Sequence, residues 1–257
     1  MRDNKLSLSI SIISFNEEEN IGICLESIKD IATEIIVVDS GSTDKTIEIA
    51  KSYGASVFIE DWKGYVAQKN SALKKCTMDW ILCLDCDEVL TGDLKKHTIG
   101  EIKKNIRDGY YINRRTYYLG KLLKFSWQPD YILRLVKRGS TPVWSGYEPH
   151  TYLTIMGSTS KIGGDLIHYS YKNVADHIKK LNNYSKDVAR SYYKDGKSSK
   201  LYNLLFNPAF AFTKKYFLKL GFLDGIRGFF VAVFSAFYVF LKYCYLWELK
   251  KAHRNAK

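Results

Sequence analysis

The stretch ILCLDCDEVL, residues 81–90, places three acidic side chains, Asp85, Asp87 and Glu88, directly after an apolar run. The run has the length and composition of a strand that is buried on both faces. Such strands are typical of parallel sheets that helices cover on both sides. In open α/β sheets, ligands bind beyond the carboxyl ends of the strands. The three acids therefore predict a ligand site at the end of this strand.

The residues that precede this strand repeat an alternation of apolar strand and helix. Strands are predicted at LSLSISIISF (6–15), EIIVVDS (34–40) and SVFIED (56–61). The first helix is predicted to start with Asn16 as its N-cap, and the second to be capped by Ser42 or Asp44. A third helix near residues 65–75 leads into residues 81–90. This alternation indicates an α/β domain.

The pattern changes after a further predicted helix at about residues 91–106. GYYINRRTYYLG (109–120) and YILRLVKR (131–138) are predicted strands with few helices between them, and DLIHYS (165–170) is a short one. A helix is predicted at about residues 173–194. The second half is therefore predicted to extend the sheet as a mixed one.

The net charge of the 257-residue chain is +12, and its distribution is uneven. Residues 1–160 carry 21 basic and 21 acidic side chains, whereas residues 161–257 carry 18 and 6. A basic surface of this kind indicates either simple solubility or attraction to an anionic membrane. We predict no nucleic-acid partner, because the basic residues alternate with a long apolar tail and form no exposed recognition element.

The five cysteines and the N-terminal sequence predict a reduced, cytoplasmic setting. The number is odd, and the first residues lack the basic, apolar and small-residue order of a signal peptide. Cys83 and Cys86 form a CxxC pair, but residues three apart on a strand point to opposite faces. We therefore predict that both are core residues and form neither a disulfide nor a metal site.

The C-terminal tail, GIRGFFVAVFSAFYVFLKYCYLWELKK (225–251), is apolar and aromatic. Only 14 residues separate Arg227 from Lys242, fewer than the roughly 20 needed to cross a bilayer. It could be a core helix, a spanning helix with a snorkelling Lys242, or an interfacial helix. The aromatic content and the flanking lysines favour an interfacial helix. Those lysines are Lys214, Lys215, Lys219, Lys250 and Lys251.

The acids at the strand ends favour a nucleotide bound with a divalent cation. The first loop, SFNEEEN (14–20), has no glycine, so the turn of an NAD-type Rossmann domain is missing. On an extended segment, Asp85 and Asp87 would face the same side, which should raise the pKa of one of them. Mg²⁺ or Mn²⁺ would relieve this repulsion and also accept diphosphate oxygens. The alternative is a solvated turn after a core strand.

Four motifs carry a family resemblance through their order and spacing. They are IISFNEEENI (12–21), VVDSGSTDKT (37–46), DWKGYVAQKNSAL (61–73) and ILCLDCDE (81–88). They resemble family-2 glycosyltransferases of the GT-A fold, most closely the bacterial group that includes lipopolysaccharide core glucosyltransferases. The similarity runs from about residue 8 to 247. It implies a GT-A domain at 1–200, with a nucleotide-sugar half at 1–107 and an acceptor half at 108–200, and a membrane-associating helical region at 201–257.

The resemblance also implies roles for residues near the nucleotide. Glu17 and Asp39 would hold the base and ribose, and Lys69 would approach the phosphates. The predicted nucleotide-binding residues are Phe15, Asn16, Glu17, Asp39, Gln68, Lys69, Asp85 and Cys86. Two alternatives stay open: Asp39 caps the following helix, or Lys69 is an ordinary exposed lysine.

For the metal, the resemblance implies that Asp85 and Asp87 bear the ion. His168, predicted to end the strand DLIHYS, is a candidate third ligand; the alternative is an ordinary core or surface histidine. Arg134 could face the diphosphate, or it could form a structural ion pair.

Transfer of a sugar with inversion requires a carboxylate that takes the proton of the acceptor hydroxyl. We prefer Glu148, in VWSGYEPHTYL (143–153), and keep Asp130, in SWQPDYILRLVKR (126–138), as the alternative. Related enzymes commonly show a His-Glu pair here, whereas this chain has His150 two residues after the glutamate. Trp127 and Trp144 could stack on sugar faces or lie in the core.

Together these features predict an inverting, metal-dependent glycosyltransferase. It would use a UDP-sugar, with glucose or another hexose, and a lipid-linked or lipopolysaccharide core acceptor. It is expected to be cytoplasmic and peripheral on the inner face of the membrane, with a homodimer as another use of the tail. The alternatives are a basic membrane scaffold and a nucleotidyltransferase, although the glycine-rich loop that the latter needs is absent from SFNEEEN.

Overall fold

The computed structural model describes residues 6–148 and 150–255. The strands are β1 (Leu8–Ser14), β2 (Glu34–Asp39), β3 (Ser56–Ile59), β4 (Trp80–Asp85), β5 (Glu88–Leu90), β6 (Gly109–Tyr118), β7 (Lys121–Leu122), β8 (Tyr131–Lys137), β9 (Val143–Tyr147), β10 (His150–Thr154) and β11 (Thr159–Tyr171). The α-helices are α1 (Ile21–Glu26), α2 (Thr46–Ser52), α3 (Tyr65–Lys75), α4 (Gly92–Lys104), α5 (Val174–Lys194), α6 (Leu201–Thr213) and α7 (Ile226–Asn255).

The chain divides into two compact units. The first unit contains residues 1–114, 130–146 and 151–168, and the second contains residues 115–129, 147–150 and 169–257. The predicted boundaries at residues 107 and 200 separate regions by their expected function, whereas these units are separated by compactness. The predicted boundaries therefore stay a prediction.

The sheet is mixed, as predicted. Among the described residues, nine strands join in the order β3-β2-β1-β4-β8-β6-β11-β5, with β7 paired to β6. β3, β2, β1 and β4 are parallel, whereas β8 is antiparallel to both β4 and β6. The parallel half follows from the alternation of apolar strand and helix in residues 6–90.

Alternate residues of β4 enter two different buried clusters. Leu82 and Leu84 belong to one cluster, and Ile81 and Cys83 belong to the other. β4 is therefore buried on both faces, which confirms the prediction from its uninterrupted apolar run. Cys86 joins the cluster that lacks Cys83, and all five cysteines are free. The prediction that this CxxC pair belongs to the core is thus confirmed.

The loop after β1 corrects the prediction of a helix capped by Asn16. Asn16 has a left-handed φ of 53°, and α1 begins only at Ile21. The Asn16 N–H donates to Ser42 Oγ at 2.8 Å, and its Oδ1 accepts the N–H of Thr43 at 2.9 Å. Asn16 therefore ties the loop after β1 to the loop after β2. Asparagine tolerates this backbone conformation better than most residues do.

The strand that carries His168 is longer than predicted. DLIHYS is the C-terminal part of β11, so His168 lies within the strand and does not end it. In the antiparallel pairing of β11 with β5, His168 is opposite Glu88. This register places the imidazole near the acids that follow β4.

In the second unit, a close backbone approach explains Gly221 and Gly228 of GFLDGIRGFF (221–230). A Cβ atom on Gly228 would lie 1.7 Å from the carbonyl oxygen of Gly221, so a side chain there would clash with backbone. Between them, the Asp224 carboxylate accepts backbone N–H groups of residues 124–126 at 2.6 to 3.1 Å. The motif therefore fixes the start of α7 against the loop at residues 124–126.

By length and composition, α7 is capable of crossing a membrane. The segment Ile226–Ala252 has 27 residues, and its most apolar 18-residue window has a mean hydropathy of 1.8, with only 17% of that window buried. The helix continues through Arg227 and Lys242, which bound the 14-residue uncharged segment in the sequence. Length alone therefore leaves a spanning helix and an interfacial helix both open.

Candidate active site

The ends of the central parallel strands bring the predicted acids to one edge of the sheet. Asp39 of β2 pairs in register with Ser14 of β1, and Asp85 of β4 pairs with Ile13 on the other side of β1. Because parallel strands end at the same edge, this register confirms the predicted location of the acids.

Asp39 organises the loop that follows β2. The side chain is fully buried. Its Oδ1 accepts the N–H groups of Gly41 and Ser42 at 2.9 and 2.7 Å, and its Oδ2 accepts the hydroxyls of Ser14 and Ser42, both at 2.6 Å. The carboxylate thus accepts four hydrogen bonds, which fix the loop at residues 40–42 against the end of β1. The alternative role of Asp39 was to cap the following helix. Asp39 does accept backbone N–H groups, but they belong to the loop after β2 and not to helix α2.

Gln68 lies beside this loop with part of its bonding capacity unused. It is fully buried, and its Nε2 donates to Ser40 Oγ at 3.2 Å and to the backbone oxygen of Glu60 at 3.4 Å. Its Oε1 has no hydrogen-bond partner among the described residues. A buried acceptor of this kind costs about 1 to 3 kcal/mol when left unsatisfied. It suits a ligand that brings an N–H or O–H donor.

The other predicted nucleotide contacts differ in exposure. Phe15 is 55% exposed at the end of β1. The Glu17 N–H donates to Thr46 Oγ1 at 2.7 Å, and its carboxylate accepts from Asn20 Nδ2 at 2.6 Å. Cys86 is buried and its thiol donates to the oxygen of Ile13 at 3.3 Å. Any contact of Cys86 with a nucleotide must therefore be made by its backbone.

Asp85 is held by two cationic side chains. Its Oδ1 lies 2.7 Å from Lys69 Nζ, and its Oδ2 lies 2.7 Å from Arg134 Nη2. Burial alone would raise the pKa of Asp85, but the charges of Arg134 and Lys69 outweigh it and hold the pKa well below its usual range. The expected raised pKa thus does not occur at Asp85. The alternative that Lys69 is an ordinary exposed lysine is wrong, because its side chain is only 12% exposed and is paired with Asp85.

Glu88 extends this network into the interior. It is fully buried, and its Oε1 lies 2.9 Å from Arg134 Nη2 and 3.5 Å from Arg114 Nη1. Arg114 also donates from Nε and Nη2 to Asp130 Oδ2, both at 2.8 Å. In this network, three cations alternate with three anions. The cations are Lys69, Arg134 and Arg114, and the anions are Asp85, Glu88 and Asp130. Arg134 thus forms the structural ion pair that was one of its two predicted roles.

Trp144 supports the cationic part of this network. Its ring is buried, with Lys69 Nζ 4.4 Å and Arg134 Cζ 5.3 Å from its centroid. Arg134 Nε and Nη1 have no hydrogen-bond partner among the described residues, so the ring face provides their polar environment. Asn70 positions Trp144 through two 2.9 Å hydrogen bonds with its backbone. Of its two predicted roles, Trp144 therefore takes the one in the core.

Asp87 lies in the turn between β4 and β5. Residues 86 and 87 form this turn, so the strand alternation on which the predicted common face depends ends at Asp85, and the common face stays a prediction. Asp87 Oδ2 lies 3.3 Å from His168 Nε2, and both side chains are about one-fifth exposed. The imidazole of His168 is therefore one partner of Asp87.

The donors near Asp87 fit a divalent cation that is shared with a bound ligand. A carboxylate and an imidazole are suitable ligands for Mn²⁺, and the carboxylate also suits Mg²⁺. Within the described residues, no group of three His, Cys, Asp or Glu side chains could hold a metal ion. Mg²⁺ is usually bound by one or two carboxylates together with substrate phosphates and water. Asp87 offers one such carboxylate, and His168 lies beside it as a nitrogen donor.

The two candidate bases lie in different units. Asp130 belongs to the first unit, where its Oδ2 lies 2.8 Å from both Nε and Nη2 of Arg114. Glu148 belongs to the second unit and is partly exposed in the turn that joins β9 to β10. In the same unit, His150 Nε2 lies 2.9 Å from the Tyr238 hydroxyl. The histidine of the EPH sequence is thus bound to α7.

The buried network leads to a stability prediction. We expect the Arg134→Met variant to lose about 3 to 5 kcal/mol of unfolding free energy, because it leaves the buried Glu88 charge without its closest cation. Urea unfolding followed by circular dichroism measures this loss. The double variant Arg134→Met/Glu88→Gln should recover part of it, since glutamine leaves no buried charge. A single-variant loss below about 1 kcal/mol would contradict the assignment.

Comparisons of sequence identify the family. Residues 9–150 match the model of glycosyl transferase family 2. The chain is 32% identical over 250 residues to the lipopolysaccharide core biosynthesis glycosyltransferase LpsC of Rhizobium meliloti, covering 92% of the chain and 90% of LpsC. It is 31% identical over 260 residues to an uncharacterized glycosyltransferase of Rickettsia typhi, covering 96% of the chain and 89% of that protein.

Comparison of structures supports the same fold. The mannosyltransferase PcManGT from Pyrobaculum calidifontis, solved in complex with GDP-Man and Mn²⁺, matches with a TM-score of 0.54. The match covers 96% of this chain and 88% of that one at 13% identity. The predicted GT-A fold is confirmed by this likeness and by the mixed sheet. By its family model and by relatives that match over most of their length, the chain belongs to glycosyltransferase family 2 and is a transferase.

Proposed function

We propose that this chain is an inverting glycosyltransferase that moves a hexose from a UDP-sugar to a lipid-linked or lipopolysaccharide core acceptor. The observation that carries the proposal is the arrangement at the carboxyl edge of the sheet. There Asp85 is neutralised by Lys69 and Arg134, whereas Asp87 lies beside His168. A nucleotide diphosphate needs cations near its phosphates, and this edge supplies them.

The nucleotide is proposed to bind over the ends of β1 and β2. Gln68 Oε1 offers an acceptor to a base N–H or a ribose hydroxyl. Asp39 holds the loop at residues 40–43 in one conformation, so that its polar groups need little reorganisation on binding. Glu17 and the exposed ring of Phe15 would complete the base side of the site. UDP is chosen from the family resemblance, and the donor screen below tests it.

Asp87 and His168 are proposed to hold Mg²⁺ or Mn²⁺ together with the diphosphate. The bound cation would supply charge neutralisation for the departing nucleoside diphosphate. Lys69 adds a further positive charge at this edge. It also offsets the negative charge of Asp85, which would otherwise repel the phosphates. Arg134 holds Asp85 from the other side.

Glu148 is proposed as the base that takes the proton of the acceptor hydroxyl. As that oxygen forms its bond to the anomeric carbon from one face, the bond to the diphosphate oxygen breaks on the opposite face. The bonding electrons leave with the diphosphate, and the proton ends on the Glu148 carboxylate. The anomeric configuration is inverted because a single displacement takes place.

The acceptor and the location are proposed from the relative and from the charge of the chain. LpsC is named for lipopolysaccharide core biosynthesis, which supports a lipid-linked saccharide acceptor. The last 97 residues carry 18 basic and 6 acidic side chains, a distribution that favours an anionic membrane surface. We therefore place the enzyme at the cytoplasmic face of the membrane.

A donor screen tests the proposal. We expect nucleoside diphosphate release from one UDP-hexose in a panel that also contains GDP-mannose. EDTA should lower this release by at least about 100-fold, because several kcal/mol of charge stabilisation are lost, and Mg²⁺ or Mn²⁺ should restore it. Turnover with GDP-mannose alone would overturn the UDP assignment. No release from any donor with any metal would overturn the proposed chemistry.

A further inference from the structure

Helix α6 presents an exposed apolar stripe. Tyr202, Phe206, Phe210 and Phe217 follow one another at intervals of four, four and seven residues, so they share a face through α6 and the π-helical segment Lys214–Leu218. Phe206 is 69% exposed and Phe210 61%. The exposed apolar neighbours of these residues are Leu201, Leu205 and Leu218. Soluble proteins rarely leave so long a continuous apolar surface exposed.

Two other rings of this segment are already packed against α7. The rings of Phe212 and Tyr216 have centroids 6.1 and 5.9 Å from the ring of Phe229 in α7. Tyr216 also contacts Phe222 at 6.2 Å. Even so, none of the thirteen residues of α6 is buried. The apolar composition of α6 therefore exceeds what its contact with α7 requires.

Charges at the ends of the stripe identify the chemistry of its partner. Residues 200–220 contain four lysines and no acidic residue. Lys200 precedes α6, and Lys214, Lys215 and Lys219 follow it, while α6 itself has no charged side chain. An apolar face with aromatic residues, bordered by lysines, is the pattern of helices that lie in the interface of an anionic bilayer.

The packing of α7 favours α6 as the membrane-contacting element. The Tyr245 hydroxyl donates to Asn182 Oδ1 at 2.5 Å, and the Ser185 hydroxyl to the backbone oxygen of Tyr238 at 3.3 Å. These partners belong to α5, whose sequence VADHIKKLNNYSKDVARSYYK is charged along its length. A spanning α7 would have to break these bonds or carry α5 into the hydrocarbon, which is costly.

We propose that the apolar stripe of α6 and its π-helical extension inserts into the headgroup region of an anionic lipid bilayer, with the four lysines contacting lipid phosphates. The inference deepens the proposed function, on which it rests, by assigning the contact with the membrane to one surface. A second copy of the chain is the less favourable occupant. In a symmetric dimer, the same lysines would approach one another without an acid in this segment to neutralise them.

The test is flotation of the purified full chain with vesicles at 0.15 M salt. Vesicles of phosphatidylethanolamine and phosphatidylglycerol should carry the protein, and phosphatidylcholine vesicles should carry much less. Phe206→Ser/Phe210→Ser should lower partitioning to anionic vesicles by at least about ten-fold, because two exposed rings no longer insert. The matched control, Ile106→Ser/Met156→Ser, replaces two exposed apolar residues of the first unit and should stay within about two-fold of the parent.

Charge reversal provides a second variant. Lys214→Glu/Lys219→Glu should lose anionic-vesicle binding at low salt as well, because the lipid attraction becomes repulsion. Undiminished flotation of both double variants would overturn the proposal, as would a parent dimer that Phe206→Ser/Phe210→Ser converts to monomer without any vesicle binding. Donor turnover without acceptor should be the same in the parent and in Phe206→Ser/Phe210→Ser. If neither the parent nor Phe206→Ser/Phe210→Ser turned over the donor while flotation changed as expected, the proposed chemistry would be wrong. The assignment of the membrane contact to α6 would still be supported.

Discussion

Replacing Asp87 by asparagine is expected to lower kcat/KM for the donor by about 10²- to 10³-fold while the protein stays folded. The estimate corresponds to losing several kcal/mol of charge stabilisation at the departing diphosphate. Asp87 lies in a turn, one-fifth exposed, with His168 Nε2 at 3.3 Å, so an amide fits without disturbing the core. Calorimetric titration of Mn²⁺ in the presence of UDP should show the same loss as a weaker affinity.

Two variants sharpen this test. His168→Gln should weaken Mn²⁺ binding in the same direction, because it removes the neighbouring nitrogen donor. Asp93→Asn is the matched control, since Asp93 is an acid with a side chain 79% exposed in the first turn of α4. It should leave both turnover and metal affinity unchanged. If Asp87→Asn kept full activity and full Mn²⁺ affinity, the metal would have to bind elsewhere.

The parallel half of the fold could be predicted because each of its signals is local. The apolar runs set the strands, and the predicted helix near residues 65–75 matches α3, Tyr65–Lys75. The register then follows from a parallel sheet, in which neighbouring strands end at one edge. That is why the positions of Asp39 and Asp85 at this edge were foreseeable without coordinates.

The partners of these acids could not be predicted, because they come from distant parts of the chain. Arg134 lies on β8, 49 residues beyond Asp85, and reaches it only because β8 pairs with β4. Asp87 likewise lies in a turn at residues 86 and 87 that ends β4. Periodicity describes a strand but does not indicate where it stops. The ion pairs of Asp85 with Lys69 and Arg134 were therefore beyond what the strand pattern could predict.

Asn16 shows the same limit in a loop. Its residue type, followed by acids, is a standard signal for the start of a helix. In the structure, its side chain instead bonds to residues that lie 27 positions later, after β2. A tertiary hydrogen bond therefore took precedence over a local preference. The signal that sequence reasoning missed was the polar run at residues 40–44, which supplies the partners.

Replacing Glu148 by glutamine is expected to lower kcat for sugar transfer by about 10²- to 10⁴-fold, the usual contribution of a general base. The donor KM should change little, because the amide keeps the size of the side chain. The alternative base, Asp130, accepts two hydrogen bonds of 2.8 Å from the Arg114 guanidinium. Asp130 Oδ2 is therefore already occupied by the guanidinium of Arg114.

Asp130→Asn is therefore the comparison that decides between the two bases. Asparagine keeps an acceptor for Arg114, so we expect the kcat for transfer to fall by less than about ten-fold. The main effect of this substitution should be a lower free energy of unfolding. Both variants are measured at saturating donor, with circular dichroism to confirm the fold. The opposite ranking, in which Asp130→Asn loses 10²-fold or more and Glu148→Gln stays active, would assign the proton transfer to Asp130. The ion pair with Arg114 would then have to open when the acceptor binds.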